Sequence, residues 1–422
     1  MTTASLLDEL TWRGLLYQYT ESLSESLAAG RVSAYCGFDP TASSLHVGNL
    51  VPVMGLVHLQ RAGHRPVALV GGGTGLIGDP SGKSSERPLA DPETVAANSR
   101  ALREQLERFL DFSGPAAAVM RDNAEWLHPL KAVEFLRDVG KHFTVNYMIA
   151  KESVRARMEE GISFTEFAYM LMQAYDYLEL YRREKVTLQV GGSDQWGNIT
   201  AGIELIRKVE GAQANALTFP LVTTSGGTKF GKTEAGAVWL DPKRTSPYRF
   251  FQFWINTDDR DTGTWLRFFT LKTRGEIEAL GQQLPANPER REAQHALALD
   301  VTTRVHGEEA ARAAAEVSAL LFGGAEAGSL SAAALDALRA EMPFVEFKAD
   351  GADVDVIDLF VAAKLVASKG AGRRLLEQGG IYVNNERLTG DARAIGDRQL
   401  LPGGHVLLRK GARDYALARI VR

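Results

Sequence analysis

Apolar and polar residues follow strand and helix periods in turn along the first third of the chain. Residues 31–37 are predicted to form a strand that ends at the turn pair Asp39-Pro40. The apolar positions between Gly48 and Gly63 recur on one face, which predicts a helix. A second apolar run, residues 67–70, ends at three glycines and is typical of a buried parallel strand. This order indicates a right-handed strand–helix–strand unit in an open α/β sheet.

Helical periodicity dominates the next segment, from about residue 91 to residue 183. A helix is predicted to begin at Asp91-Pro92, because proline suits the first helical position. Ser163 and Glu166 match the capping-box pattern that begins a later, longer helix. Residues 186–190 predict another strand, which a glycine-containing loop joins to a helix over residues 199–209. The repeated order predicts a Rossmann-like, doubly wound parallel sheet with a helical insertion.

A chain of 422 residues is too long for one compact domain and suggests two or three domains. We predict an α/β domain over residues 1–246 and an α-helical domain over residues 247–325. The segment 326–351 overlaps a stretch rich in Gly, Ala and Ser and is predicted to be a linker. The last domain, residues 352–422, is predicted to be a small basic α+β module.

Composition excludes several classes of protein. The chain is 45% hydrophobic and 24% charged, which is typical of a folded globular protein, and no apolar run approaches the roughly 20 residues of a membrane span. The first ten residues have no basic segment leading into an apolar stretch, which argues against a secretory signal. A single cysteine, Cys36, excludes an intrachain disulfide framework and a cysteine-rich metal site. We therefore expect a cytoplasmic protein.

The charge of the chain is unevenly distributed. The formal net charge is −4, yet residues 351–422 hold 12 Lys and Arg against 8 Asp and Glu, a net charge of +4. The remaining residues hold 36 against 44, a net charge of −8. An acidic body with a basic tail fits a tail that contacts phosphate, although scattered arginines on a solvated surface would give the same count.

Two glycine-rich segments resemble phosphate-binding P-loops. Residues 226–233 match the pattern Gly-x4-Gly-Lys-Ser/Thr, and residues 78–84 miss it by one residue. A true P-loop needs a buried strand before it and a helix that opens at the lysine. Only residues 234–240 separate the first match from the turn pair Asp241-Pro242, which is too short for that helix. A P-loop phosphotransferase therefore stays an alternative that the missing helix disfavours.

A different interpretation uses the same lysines. Residues 39–49 lie where the first predicted strand passes into the first helix, which is the ligand crevice of a doubly wound sheet. His46 and Gly48 lie at the helix N-terminus, where free amides favour an anion. Residues 46–49 (His-Val-Gly-Asn) resemble the HIGH motif of class I aminoacyl-tRNA synthetases, and residues 229–233 resemble their Lys-Met-Ser-Lys-Ser loop. A lone histidine is usually a capping or core residue, but both motifs in this order favour the synthetase.

Further segments narrow the resemblance. They are residues 35–41 before the first motif, residues 71–81 after the second strand, residues 191–195, and Tyr169, Gln173 and Asp176 on one helix face. Taken in order, they resemble the bacterial-type tyrosyl-tRNA synthetases over almost the whole chain. The resemblance implies that L-tyrosine is activated with ATP, bound as Mg-ATP, and transferred to tRNA(Tyr). It also implies a homodimer formed through the helical insertion within residues 110–160.

The resemblance assigns candidate site residues to four groups. The expected catalytic residues are Thr41, His46, Lys83, Arg87, Lys229, Lys232 and Thr233. The expected tyrosine-binding residues are Tyr35, Asp79, Tyr169, Gln173, Asp176 and Gln195. The expected ATP-binding residues are Cys36, Gly37, Asp39, His46, Gly48, Asn49, Gly192, Asp194 and Lys232. The expected RNA-binding residues are Ser368, Lys369, Arg373 and Arg374. No dedicated metal site is expected.

The RNA-binding group belongs to the basic module at the C-terminal end. Residues 355–385 resemble the small RNA-binding fold first named for a ribosomal small-subunit protein. The four residues surround a predicted helix start, where basic side chains and free amides bind phosphate. A solvated helix end would carry the same side chains, so this assignment depends on the resemblance. The resemblance also implies that tRNA recognition is shared with the α-helical domain, on the anticodon side.

Three departures and two alternatives accompany the resemblance. Asn49 stands where the family often has His, Phe230, Gly231 and Thr233 replace Met, Ser and Ser in the lysine loop, and Gly75 has no explanation in the sequence. We expect function to survive, because an amide still donates to a ribose oxygen and both lysines remain. A regulatory RNA-binding protein with an inactive synthetase body is disfavoured by those intact lysines. A tryptophanyl-tRNA synthetase is disfavoured by the pair Tyr35 and Asp176, which suits a phenol.

Overall fold

The computed structural model describes residues 5–81, 89–151, 154–155, 158, 161–228, 230–233, 236–322, 330–349, 353–388, 393–396 and 399–422. For Lys232 and Thr233 it describes the backbone alone. The chain divides into two compact units. The first comprises Met1–Thr245 and Thr257–Leu297, and the second comprises Ser246–Asn256 and Ala298–Arg422.

A six-stranded sheet organises the first unit. Its strands are β1 (Gln18–Tyr19), β2 (Ser33–Phe38), β3 (Arg65–Val70), β4 (Val119–Asp122), β5 (Val186–Gly192) and β6 (Asn215–Phe219). They lie in the order β1-β6-β5-β2-β3-β4, and all are parallel except β1, which pairs antiparallel with β6 at the edge. The chain builds outward from β2 to β4 and then returns to β5 on the other side of β2. The sheet is therefore doubly wound, as the sequence predicted, with its crevice between β2 and β5.

Helices α1 to α9 follow or connect these strands. They are α1 (Leu6–Arg13), α2 (Leu23–Ala29), α3 (Leu50–Arg61), α4 (Pro92–Leu106), α5 (Ala124–Leu127), α6 (Ala132–Asp138), α7 (Val145–Ile149), α8 (Phe164–Glu184) and α9 (Trp196–Glu210). Two predicted helix starts have the expected caps. The Asp91 carboxylate accepts from the Thr94 amide at 2.9 Å, and the Ser163 hydroxyl accepts from the Glu166 amide at 3.2 Å. Strong starts explain why α4 and α8 could be placed from sequence.

The chain continues after β6 through a two-stranded hairpin and a helical segment. The hairpin pairs β7 (Lys232–Thr233) with β8 (Gly236–Ala237). The helices that follow are α10 (Pro247–Ile255), α11 (Asp259–Phe269), α12 (Arg274–Ala286), α13 (Glu292–His306) and α14 (Glu308–Phe322). None of the helices in the described part of the chain is long and apolar enough to cross a membrane.

The observed units divide the helical segment differently from the predicted boundary at residue 247. Helices α11 and α12 belong to the first unit. The buried Arg13 guanidinium of α1 donates to the carbonyls of Arg267, Thr270 and Lys272 at 2.8–2.9 Å, so it caps the C-terminal end of α11. Sequence spacing within one helix could not show a bond between positions more than 250 residues apart.

The second unit contains a five-stranded sheet with a hydrophobic cluster on each side. Its strands are β9 (Phe344–Lys348), β11 (Ile381–Val383), β12 (Glu386–Arg387), β14 (His405–Lys410) and β15 (Asp414–Val421), in the order β12-β11-β14-β15-β9. The pair β10 (Val354–Asp355) and β13 (Ala394–Ile395) lies apart. Helices α15 (Ala332–Glu341), α16 (Val356–Ala362) and α17 (Lys369–Glu377) belong to the same unit, as do α10 and α14. One cluster includes α16 and α17, and the other includes α14 and α15.

The prediction of a linker over residues 326–351 was wrong for most of that segment. Residues 332–341 form α15, and residues 344–348 form β9, which pairs in parallel with β15. Leu335 and Leu338 are buried with Leu407 and Leu417 of the sheet. The alanine content that suggested a linker instead lets α15 pack closely, since alanine favours helix and buries without loss of side-chain entropy.

Candidate active site

A cavity of about 320 Å³ lies at the carboxyl ends of the parallel strands, as expected for a doubly wound sheet. Of the predicted tyrosine-binding, ATP-binding and catalytic residues that the structure describes with side chains, all line this cavity except Gly48 and Asp194. The predicted residues that line it are Tyr35, Cys36, Gly37, Asp39, Thr41, His46, Asn49, Asp79, Tyr169, Gln173, Asp176, Gly192 and Gln195. Residues from β2, β5 and α8 therefore line the same cavity.

The closed end of the cavity carries a buried hydroxyl and a buried carboxylate. Tyr35 and Asp176 are 1% and 2% exposed. Asp176 accepts hydrogen bonds from Asn123 Nδ2 at 2.9 Å and Trp126 Nε1 at 2.7 Å, while burial raises its pKa to about 8. The Tyr35 hydroxyl has no hydrogen-bond partner among the described residues, and burial followed by the nearby Asp176 charge raises its pKa well above 10.0. An unpaired buried hydroxyl invites a polar partner.

Two further carboxylates lie toward the middle of the cavity. The Tyr169 hydroxyl donates to Asp39 Oδ2 at 2.9 Å, and the Thr74 hydroxyl donates to Asp39 Oδ1 at 2.8 Å. Gln195 Nε2 donates to Asp79 Oδ2 at 2.7 Å. Because the Tyr169 hydroxyl donates its proton to Asp39, the phenol oxygen can still accept a hydrogen bond from a bound ligand. This region therefore offers several acceptors to a cation.

Amide side chains connect α8 with α9 beside this region. Asn198 Nδ2 donates to Gln173 Oε1 at 2.9 Å, and Gln173 Nε2 donates to Gln195 Oε1 at 3.2 Å. The chain of amides ends on the Asp79 carboxylate. Such a network holds Gln173 and Gln195 in one orientation, because each of them both donates and accepts.

The His46 segment forms a capped 3-10 turn over Val47–Asn49 at the cavity edge. His46 Nδ1 accepts from the Gly48 amide at 3.1 Å, and Asn49 Oδ1 accepts from the His46 amide at 3.0 Å. Because Nδ1 accepts, the neutral imidazole carries its proton on Nε2. A Cβ atom on Gly48 would lie 2.8 Å from His46 Cε1, so a larger residue there would displace the imidazole ring. Asn49 keeps Nδ2 as a donor while its oxygen holds the turn.

The lysine loop, residues 229–233, and the segment after it are joined to the His46 turn by backbone hydrogen bonds. The Val47 amide donates to the Val238 carbonyl and the Val238 amide donates to the Gly231 carbonyl, both at 3.0 Å. Gly231 has φ +81°, and a Cβ atom there would meet Val47 Cγ2 at 2.5 Å, so this close approach requires glycine. The structure thus brings together two segments that are about 180 residues apart in sequence.

Several predicted residues cannot be placed or are placed away from the cavity. Lys83, Arg87 and Lys229 lie outside the described residues, as do the side chains of Lys232 and Thr233. The backbone after Gly231 forms β7 instead of a helix, which rules out the P-loop alternative. Gly48 packs against the His46 ring and Asp194 lies beside Gly192, and neither residue lines the cavity.

Three polar residues of the cavity were missed in the sequence. They are Thr74, Asn123 and Gln189. Asn123 follows β4, a four-residue strand without a strong apolar pattern, and its side chain bonds to both Thr74 and Asp176. Asn123 could have been found from its position directly after a strand that neighbours β3, because the carboxyl ends of parallel strands meet at one edge of the sheet. Gln189 is the β5 neighbour of Tyr35, and its buried Oε1 atom has no hydrogen-bond partner in the described ranges.

The Cys36 thiol is a neutral part of the cavity wall. Its side chain is 3% exposed, and burial raises its pKa to about 12. The group therefore stays protonated at neutral pH and acts as a weak donor. Across the described ranges, no three His, Cys, Asp or Glu side chains converge as metal ligands.

The candidate RNA-binding residues surround the start of α17. The Ser368 hydroxyl accepts from the Ala371 amide at 3.3 Å and caps the helix. Lys369 pairs with Asp358 at 2.6 Å, while Arg373 and Arg374 are exposed. The two arginines thus present the stronger positive charge at this helix.

Comparisons with known proteins agree over the whole chain. Residues 27–323 match the family described as tRNA synthetases class I (W and Y), and residues 335–418 match the tyrosine–tRNA ligase SYY-like C-terminal domain. The tyrosine–tRNA ligase of Anaeromyxobacter dehalogenans strain 2CP-1 is 54% identical over 99% of both chains. That of Geobacillus stearothermophilus is 53% identical over 98% of this chain and 99% of its own.

The fold is also similar to that of a solved tyrosyl-tRNA synthetase. The C-terminally truncated mitochondrial tyrosyl-tRNA synthetase of Aspergillus nidulans has a TM-score of 0.69 and 30% identity, covering 76% of this chain and 94% of its own. The doubly wound fold and its cavity therefore define a class I aminoacyl-tRNA synthetase, an enzyme of the ligase class. The chain belongs to the tyrosine–tRNA ligase family within the class I synthetases for tryptophan and tyrosine.

Proposed function

We propose that this chain joins L-tyrosine to tRNA(Tyr) in two steps. It first converts tyrosine and ATP to tyrosyl-adenylate and pyrophosphate, and it then transfers the tyrosyl group to the 3′ end of the tRNA. The observation that carries the choice of amino acid is the buried pair at the closed end of the cavity. Tyr35 and Asp176 can accept and donate around one phenolic hydroxyl, and the Tyr35 hydroxyl has no other partner within the part of the chain that the structure describes.

The remaining parts of the cavity match the rest of the amino acid. The acceptors near Tyr169, Asp79 and Gln173 suit its ammonium group. The mouth between β2 and the His46 turn then receives the carboxylate and the nucleotide. A pocket that pairs a substrate hydroxyl rejects the analogue without it, because its own buried groups lose a partner.

The first step needs positioning and charge stabilisation more than proton transfer. The tyrosine carboxylate is already an anion at neutral pH, so it attacks the α-phosphate without a general base. The P–O bond to the β-phosphate breaks, and the electron pair leaves with pyrophosphate. We assign Thr41 and His46 Nε2–H, which both line the cavity, to donate to phosphate oxygens as that charge develops. We assign Lys229, Lys232 and Thr233 to the same phosphates, with Lys83 and Arg87 at the mouth.

The other substrates follow from this assignment. ATP is the second substrate, and Mg²⁺ is expected to arrive on its phosphates as Mg-ATP. The backbone around Gly192, with Asp194 and Gln195, is assigned to the ribose and the substrate, and Cys36 is assigned to the ribose. ATP and tRNA meet in the cytoplasm, which is where we propose that the enzyme acts.

The proposed function is tested by tyrosine-dependent ATP–pyrophosphate exchange, run with each of the twenty amino acids in turn. We expect exchange with tyrosine at least 100-fold above that with any other amino acid, since phenylalanine leaves the buried Tyr35 hydroxyl unpaired and gives Asp176 no hydroxyl to bind. Equal exchange with tryptophan would favour the other branch of the family. Absence of exchange with every amino acid would favour the inactive RNA-binding alternative.

Arg373 and Arg374 are proposed to contact tRNA phosphates. Arg373→Glu is expected to raise the KM for tRNA(Tyr) about fivefold and lower the salt dependence of charging, because one phosphate contact is lost. Exchange without tRNA should not change. The matched control is Arg207→Glu, an exposed arginine on α9, and a wild-type KM in both variants would contradict the proposal.

Point substitutions are the right test because truncation would damage the fold. Removing residues 352–422 would take away Leu407 and Leu417 and expose the cluster on α14 and α15. A truncated chain that loses charging would then show loss of packing as well as loss of RNA contact.

The helical insertion is proposed to form a homodimer. Val133, Leu136 and Val145 are 75%, 56% and 60% exposed, and α6 buries none of its residues. A group of exposed apolar side chains on one insertion is typical of a protein interface. Leu136→Glu should halve the mass measured by light scattering from twice the chain mass of 46.0 kDa, while Tyr17→Glu, an exposed apolar position elsewhere, should not. A monomeric wild-type protein would refute the dimer.

A further inference from the structure

The segment after the lysine loop runs beside the His46 segment in a short antiparallel ladder. The Val47 amide donates to the Val238 carbonyl at 3.0 Å, and the Leu240 amide donates to the Leu45 carbonyl at 2.9 Å. These two bonds place His46 directly opposite Trp239. In such a pair the hydrogen bonds flank the two residues, so their side chains approach closely.

The Trp239 side chain lies between an imidazole and a guanidinium. The His46 and Trp239 rings are 6.0 Å apart between centroids, with an interplanar angle of 71°, which is an edge-to-face contact. On the indole, the Arg244 guanidinium carbon lies 3.3 Å from the ring centroid. The Trp239 amide also donates to Thr245 Oγ1 at 3.0 Å. The indole is therefore held from its backbone and from one face.

We propose that Trp239 is a positioning residue that fixes the plane of the His46 imidazole during tyrosine activation. The hydrogen bond from the Gly48 amide fixes the position of Nδ1, and a single point of attachment does not define the plane of a ring. The edge-to-face contact with Trp239 supplies the second constraint. With both in place, the Nε2–H bond keeps one direction at the cavity edge, where the proposed function puts the phosphates.

Arg244 contributes to the same arrangement from outside. Its guanidinium covers the indole and reaches Ser43 Oγ at 3.4 Å, just before the His46 segment. Its backbone lies at an exposed position, so the side chain can be removed without opening a core. Replacing Arg244 therefore removes one contact of the indole, whereas replacing Trp239 removes the indole itself.

A double-mutant cycle with His46 separates positioning from general support of the fold. Trp239→Ala should lower the kcat of tyrosine-dependent exchange about tenfold in the wild-type background, because a donor aimed at developing charge depends on orientation. It should lower kcat less than twofold in the His46→Ala background, where no imidazole remains to orient. The KM for tyrosine should stay within twofold, and Trp239→Phe should restore kcat to within threefold of wild type.

The cycle has outcomes that overturn the inference. An equal loss in both backgrounds would show that the indole only supports the fold, and an unchanged kcat in Trp239→Ala would show that it does nothing. If Trp239→Ala does not fold, Arg244→Ala completes the same cycle with an expected two- to threefold loss, against Arg207→Ala as an exposed arginine control. The inference rests on the proposed function, and wild-type protein without exchange activity would refute that function instead.

Discussion

Replacement of His46 by alanine is expected to lower the rate of tyrosine-dependent ATP–pyrophosphate exchange by about 100- to 1,000-fold. The imidazole lines the cavity, accepts from Gly48 at Nδ1 and therefore carries a donor proton on Nε2. A donor that acts on charge developing at the phosphates stabilises the transition state more than the bound tyrosine. The dissociation constant for tyrosine, measured by equilibrium dialysis, should therefore stay within about twofold of wild type.

Two companion measurements separate chemistry from folding in this prediction. His46→Asn keeps a side-chain oxygen that can cap the Val47–Asn49 turn, and its amide can still donate, so its rate should lie between those of wild type and His46→Ala. His405→Ala changes a histidine of the second unit outside the cavity and should leave exchange unchanged. Tyrosine binding that weakens in parallel with the rate would contradict a role confined to the transition state.

Replacement of Asp176 by asparagine is expected to lower kcat/KM for tyrosine by about 100-fold. Both carboxylate oxygens already accept hydrogen bonds, one from Asn123 and one from Trp126. An asparagine retains a single oxygen, so its NH2 group would face one of these donors and could not accept from the substrate phenol. The loss combines a buried hydrogen bond to the substrate hydroxyl with an unsatisfied buried donor.

The same assay with phenylalanine provides the control for Asp176→Asn. Phenylalanine has no hydroxyl, so its kcat/KM should change less than threefold, and discrimination between the two amino acids should narrow. Tyr35→Phe should show the same pattern with a smaller loss for tyrosine, about tenfold, because it removes one neutral hydrogen bond. An equal loss for both amino acids would mean that Asp176 only supports the wall of the cavity.

Local signals in the sequence placed the main elements of the first unit. Strands β2, β3 and β5 are buried on both sides, and runs such as residues 67–70 are therefore almost wholly apolar. Helices α4 and α8 begin at strong caps, Asp91 and Ser163. Strand β4 was missed because its four residues are only half-buried and have no continuous apolar run. Helix α15 was missed because an alanine-rich segment has no clear amphipathic period.

Site residues that belong to sequence motifs could be predicted. The residues that hold them in place by hydrogen bonds from other segments could not. Tyr169, Gln173 and Asp176 share one face of α8 by helical spacing, so their convergence followed from sequence. The bonds from Asn123 and Trp126 to Asp176, and from Tyr169 to Asp39, connect segments 50 to 130 residues apart. Such bonds depend on which strand lies next to which, and periodicity contains no information on that order.

By itself, the sequence determined the doubly wound fold and the residue types around the cavity, because strand burial and helix caps depend on nearby residues. Tertiary structure decided which of those residues touch. The pairing of His46 with Trp239, the capping of α11 by Arg13 and the isolation of the Tyr35 hydroxyl all arise from segments that meet only after the sheet has formed. Contacts between distant segments follow from the packing of whole elements, and no local pattern specifies them.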